Sequence, residues 1–286
     1  MAIVLDNITY TYGVGTPFEK TALHGVSLTV ENGEFLGIIG HTGSGKSTFV
    51  QHLNGLLHPT IGTVTVNGVD ISASTEEAKK MRHKVGMVFQ YPEHQLFEET
   101  IAEDIAFGPK NLGLSADEVD ERVRDAMKFV GLDYDTYAER SPFHLSGGQM
   151  RRVAIAGVVA MDPDFLVLDE PSAGLDPFGR EEIFEEIIRL HKEKGITVIL
   201  VSHNMEDISR MASRLVVLDK GRVVLDGEPM DIFNNHRDEL QAVGVDVPPV
   251  SVTMEYLREQ GFDVSNRVLS VDDAVQAILE GGSHVK

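Results

Sequence analysis

Apolar and polar positions alternate with a period of two along residues 3–12 (IVLDNITYTY) and 26–30 (VSLTV), which predicts two half-buried strands. The stretch EFLGIIG (34–40) is apolar almost throughout and stops at a glycine, so it predicts a buried strand that delivers the chain into a loop. In KSTFVQHLNGLL (46–57) the spacing becomes helical, with Phe49, Leu53 and Leu56 on one side. GTVTVNGVDI (62–71) predicts a hairpin turning at Asn67-Gly68. From about 95 to 161 the pattern is mainly helical, with Val119, Val123, Met127 and Val130 on one face and Gly131 as the stop. Strand and helix patterns then alternate through FLVLDE (165–170), REEIFEEIIRLHKEKG (180–195), TVILVSH (197–203) and a short helix near 205–213. RLVVLDKGRVVLDG (214–227) predicts a second hairpin at Lys220-Gly221. Beyond Asp231 the pattern weakens. VGVDVPPVS (243–251) resembles a linker, and two short helical runs follow Ser251 and Ser270, the expected N-caps.

Alternating strands and helices imply an α/β fold with a parallel sheet covered on both faces, and the flanking hairpins add an antiparallel portion. The expected division is a main domain over 1–234, its helical part at about 95–161, and a small appended domain over 235–286.

Composition narrows the function. The chain has 286 residues and a formal charge of −20, which argues against a nucleic-acid backbone or an anionic lipid surface as the direct partner. It has no cysteine, in keeping with a reducing compartment. No apolar run reaches the roughly 20 residues needed to span a bilayer, and MAIVLDNITY has no basic leader, so no membrane insertion is expected.

The chemistry begins at GHTGSGKS (40–47), which matches G-x-x-x-x-G-K-[ST] between a predicted strand and a predicted helix. Gly40, Gly43 and Gly45 allow backbone N–H groups, including that of Ser44, to curl round a phosphate at the helix N-terminus. Lys46 can reach β- and γ-phosphates, and the Ser47 hydroxyl is a hard ligand for Mg2+. Asp169 ends an apolar strand, where it can hold the metal's shell, and Glu170 follows it, able to polarise a water. LSGGQMRR (145–152) places Ser146, Gly147 and Gly148 at the mouth of a helix. That is a second anion-ready site, beyond what one phosphate loop needs.

LSGGQ followed by a basic pair resembles the signature of ABC-type ATPases, and the other motifs stand in that family's order over roughly residues 3–233. The resemblance implies a P-loop NTPase: a RecA-like parallel core, an antiparallel β subdomain and a helical signature subdomain. It makes Tyr12 the adenine-stacking aromatic, with Tyr10 as the alternative, and adds Thr48 to the ATP-binding loop. Gln90 becomes the glutamine near Mg2+ and the lytic water, Asp176 the D-loop aspartate and His203 the γ-phosphate switch. Two cassettes would pair head to tail, so Ser146, Gly147, Gly148 and Gln149 would contact the ATP of a partner ATPase.

YPEHQLFEETIAEDIAFGPKNLG (91–113) and LSGGQMRRVAIAGVVAMDPD resemble the ATPase of energy-coupling factor (ECF) transporters, a group that includes cobalt-uptake ATPases. This implies ATP hydrolysis driving uptake of vitamins or transition-metal ions at the cytoplasmic face of the cell membrane. The implied partners are a second, paralogous ATPase, a transmembrane coupling protein and a small membrane substrate-binding protein, with 235–286 assisting ATPase pairing. Pro92, Glu93, Leu96, Phe97, Glu98 and Glu99 are the expected contacts with the membrane subunit, where acids including Glu103 and Asp104 would meet arginines. Two rivals are a conventional ABC importer and a soluble ABC ATPase that moves no solute.

Overall fold

The computed structural model describes residues 1–281. In chain order its elements are β1 (Ala2–Tyr12), β2 (Lys20–Glu31), β3 (Phe35–Ile39), α1 (Lys46–Leu53), β4 (Ile61–Val66), β5 (Val69–Asp70), α2 (Glu76–His83) and β6 (Val85–Val88). Next come α3 (Ile101–Asn111), α4 (Ala116–Phe129), α5 (Tyr134–Tyr137) and α6 (Gly147–Val159). The chain continues through β7 (Phe165–Asp169), α7 (Pro177–Lys194), β8 (Thr197–Val201), α8 (Met205–Met211), β9 (Arg214–Asp219) and β10 (Arg222–Gly227). It finishes with α9 (Pro229–Asn235), α10 (Arg237–Ala242), α11 (Pro249–Glu259) and α12 (Val271–Gly281).

Two sheets form. One is antiparallel, in the order β2-β1-β4-β5, and the other runs β10-β9-β3-β8-β7-β6. In the second, β9, β3, β8, β7 and β6 are parallel and β10 is added antiparallel at the edge. The parallel strands are apolar at nearly every position because both faces are covered. Their pleat divides the residues between two cores. Leu36, Ile38, Val167, Ile199 and Val216 join β1, β2 and α1 on one side. Phe35, Ile39, Leu168, Leu200 and Val217 join α7, α8 and the helical subdomain on the other. Gly37 lets α8 pack closely on β3: a Cβ there would stand 3.0 Å from the Ile208 side chain, which would have to give way.

The two predicted hairpins turn where the sequence places them, each through a pair of residues with positive φ: Asn67 and Gly68, and Lys220 and Gly221. Val119, Val123, Met127 and Val130 are all buried, packing α4 against α3 and α6. Three details differ from the sequence reading. The first helix stops at Leu53, because the chain turns through Gly55 (φ 74), and Leu56 is left exposed. α7 starts earlier than expected, at Pro177, with Asp176 accepting from the Gly179 N–H at 2.7 Å. Ser251 caps nothing: it lies inside α11, is buried, and its hydroxyl donates to the Val268 carbonyl at 3.1 Å. Ser270 does cap α12, accepting from the Asp273 N–H at 3.1 Å.

Ile232, Phe233, Leu240, Val245 and Leu269 pack into the main core. Met254, Val264, Val268 and Ala274 form a separate small cluster. Among the described residues no helix is long and apolar enough to cross a membrane.

Candidate functional site at the strand ends

Parallel α/β sheets place their sites beyond the C-terminal strand ends, at the point where the strand order reverses. Here β3 leads to Gly40, β6 to Gln90, β7 to Asp169 and Glu170, and β8 to His203. A cleft of about 640 Å³ lies there, lined by Tyr12, Gly43, Gly45, Lys46, Ser47, Thr48, Gln90, Asp169, Glu170 and His203. The predicted phosphate, carboxylate, glutamine and histidine groups therefore share one cavity. Tyr12 is on its wall, and its hydroxyl is 3.1 Å from that of Thr48. Tyr10 instead packs edge-on against Tyr12 and His52.

The phosphate loop is shaped for an anion. Gly45 precedes α1 in a left-handed conformation and offers no side-chain cap, so the first N–H groups of the helix stay free. Gly40 is obligatory because any side chain there would collide with the Leu218 carbonyl. Lys46 is buried and donates to the carbonyls of Gly40, at 2.6 Å, and His41, at 3.1 Å. Burial pulls its pKa down, against the pull of Glu170 and Asp169.

Burial pushes the Asp169 carboxyl up, opposed by a hydrogen bond from the Ser47 hydroxyl. Glu170 rises to about 7, first through burial and then through Asp169. Its backbone takes a left-handed turn, φ 51, at a strain on the order of 1 kcal/mol. Glu170 Oε1 is 3.3 Å from His203 Nε2 but has no aligned hydrogen-bond donor. Burial, then Lys46, lowers the His203 pKa, which favours the neutral imidazole.

The signature residues do not line this cleft. Ser146 caps α6 by accepting from the Gln149 N–H at 3.3 Å, and Gln149 Oε1 accepts from the Ser146 N–H at 3.1 Å. Side chains at Gly147 or Gly148 would meet nothing within 4 Å, so the motif faces open space.

The expected membrane-subunit contacts divide. Phe97, Glu98 and Glu99 reach the surface, and Phe97 meets the exposed Phe107 edge-on at 5.0 Å. Pro92 and Leu96 are buried within this chain, and Glu93 is half-buried and engaged by Arg151. Arg151, 1% exposed, grips Glu93 with both arms at 2.7 and 3.0 Å and donates to the Pro171 and Ala173 carbonyls at 3.0 and 2.8 Å. Burial alone would lift the Glu93 carboxyl, but the guanidinium outweighs it and holds the carboxyl low. Asp104 is also occupied, accepting from the N–H groups of Phe97 and Glu98 at 3.3 and 3.1 Å.

Sequence reasoning missed the Arg151–Glu93 pair, which spans 58 residues, and missed Lys20, His24 and Lys220 on the cleft wall. No local motif signals either.

Comparison with known proteins agrees with this geometry. The ABC transporter family profile matches residues 23–173. The chain is 54% identical over 280 residues to the energy-coupling factor transporter ATP-binding protein EcfA2 of Clostridium tetani, covering 98% of this chain and 97% of that protein. It is 52% identical to the EcfA2 of Clostridium perfringens, covering 98% of each. Among solved structures it superposes on cbiO1 of Clostridium perfringens, described as part of the ABC transporter complex cbiONQ, with TM-score 0.74, 36% identity and coverage of 88% of this chain and 98% of that one. It also superposes on the ATP-binding cassette MJ0796, a dimer bound to ADP and Pi, with TM-score 0.70, 32% identity and coverage of 79% and 98%. The chain belongs to the ABC transporter family, and within it to the ATP-binding proteins of energy-coupling factor transporters.

Proposed function

We propose that this chain binds and hydrolyses ATP to drive uptake of a vitamin or transition-metal ion through a membrane coupling protein, working at the cytoplasmic face. The observation that carries this reading is the convergence of the phosphate loop, Gln90, Asp169, Glu170 and His203 on one cleft from four strand ends.

In this reading Tyr12 stacks on the adenine and the free N–H groups of α1 hold the phosphates. Lys46 exchanges its two carbonyl partners for phosphate oxygens. The Ser47 hydroxyl, the Asp169 carboxylate and the Gln90 side-chain oxygen are hard donors that fit Mg2+. Among the described residues no three His, Cys, Asp or Glu side chains form a metal cage by themselves, which suits an ion held partly by phosphates and water. Bound there, Mg2+ would neutralise phosphate charge. Glu170 Oε1, without a donor of its own, is the acceptor for a proton from water. The water oxygen attacks the γ-phosphorus as the bond to the β-phosphate oxygen breaks, and His203 steadies the γ-phosphate.

The open signature of Ser146 to Gln149 would close over ATP bound to a paralogous ATPase, with Asp176 at the junction and residues 235–286 strengthening the pair. A coupling protein and a small membrane substrate-binding protein complete the complex. In sedimentation velocity with the paralogous partner, Glu170→Gln should form a pair with MgATP and dissociate without it. Ending the chain at Val247 should weaken that pair. If MgATP leaves the Glu170→Gln sedimentation unchanged, the head-to-tail reading fails.

A further inference from the structure

His41 occupies the second position of the phosphate loop, and both of its ring nitrogens are engaged. Nδ1 lies 2.7 Å from the Thr42 carbonyl oxygen and Nε2 lies 2.9 Å from Asp219 Oδ1. Each ring nitrogen thus has an oxygen partner within hydrogen-bond distance, one on its own loop and one on a distant turn. Asp219 ends β9 and begins the turn into β10. The same turn holds the phosphate loop at two more points. The Gly221 N–H donates to the Ser44 carbonyl at 2.8 Å, and Gly40 abuts the Leu218 carbonyl. The His41 carbonyl in turn receives Lys46 Nζ at 3.1 Å.

We propose that His41 and Asp219 form a hydrogen-bonded latch that fixes the phosphate loop against the β9–β10 turn, making His41 a positioning residue for the nucleotide phosphates. The proposal rests on the ATP-binding reading above. The latch acts through the backbone: it sets the direction of the His41 and Gly40 carbonyls, and with them the resting place of Lys46. The charged groups around the ring are Asp219 and Lys220 from the turn and Lys46 from its own loop; Lys220 Nζ is 3.8 Å from Asp219 Oδ2. Between α10 and α11, Gly244 passes beside His41, where a Cβ on it would stand 3.8 Å from the His41 Cβ, and it brings no charge.

The test is a double-mutant cycle on the full chain, read as Kd for MgATP by titration with a fluorescent ATP analogue at pH 6.5, together with kcat at saturating ATP in the assembled complex. His41→Ala and the near-isosteric Asp219→Asn should each raise Kd about tenfold at pH 6.5, and the double variant should bind about as weakly as either single. The kcat at saturation should stay within about twofold of wild type. Additive effects, or an unchanged Kd with only a lower melting temperature, would overturn the latch. Recovery of His41→Ala by Asp219→Asn would also overturn it, reducing His41 to a charge shield. A wild-type chain that binds no MgATP would instead overturn the ATP-binding reading.

Discussion

Glu186 lies on α7 near Arg152 and Arg189, and one of its carboxylate oxygens is buried without a hydrogen-bond donor. Burial raises its pKa from 4.5 to about 7 despite the two arginines. A carboxyl whose folded pKa lies above its unfolded value supports the fold below the unfolded pKa and loses that support as pH rises through the folded one. The window here runs from about pH 4.5 to about pH 7. Glu186→Gln should therefore stabilise the nucleotide-free protein at pH 8, on the order of 1–2 kcal/mol, and give little at pH 4.5. Urea titrations at the two pH values check this, and an equal gain at both would show that the charge is not the cause. At this scale the motif residues were legible, because phosphate chemistry demands a fixed local spacing. His41 was not: its role depends on Asp219, 178 residues away.

Arg151 joins three elements that the sequence separates: the turn after Gln90, the start of α6, and the segment after Glu170. Removing it would leave the Glu93 carboxylate and two carbonyls without partners, in a place where Glu93 is only 14% exposed. Arg151→Met should cost about 3–5 kcal/mol in urea unfolding, and adding Glu93→Gln should restore part of the loss. A cost below 1 kcal/mol would mean that water replaces the guanidinium. Legibility at this scale followed length and period. The strands β3, β7 and β8 and the helix α4 announced themselves by long apolar runs or a clean helical face. The short pair α2 and β6 went unread, since VGMV is four residues long and offers no period. Ser251 was misread because a serine before a helical run looks the same whether it caps the helix or, as here, serves a distant carbonyl.

For the whole molecule, the nucleotide cleft and the expected docking surface are separate. Phe97, Phe107, Glu98 and Glu99 lie outside the residues that line the cleft. Glu98→Lys with Glu99→Lys should thus reduce co-purification with the membrane subunit at least about tenfold while leaving MgATP affinity within about twofold, since rim charges govern encounter and register. Unchanged co-purification would remove these acids from the interface. The surviving acids are fewer than the sequence suggested, because Glu93 and Asp104 are committed internally.

Lys20, Lys46 and Lys220 line a cleft in a molecule whose formal charge is −20. A polyphosphate therefore approaches uphill through a repulsive field and meets attraction only at close range. Salt screens the long-range part first, over roughly 10 Å at 0.1 M, and leaves the short-range part largely intact. Ionic strength thus acts on this protein as an accelerator of nucleotide entry rather than a brake.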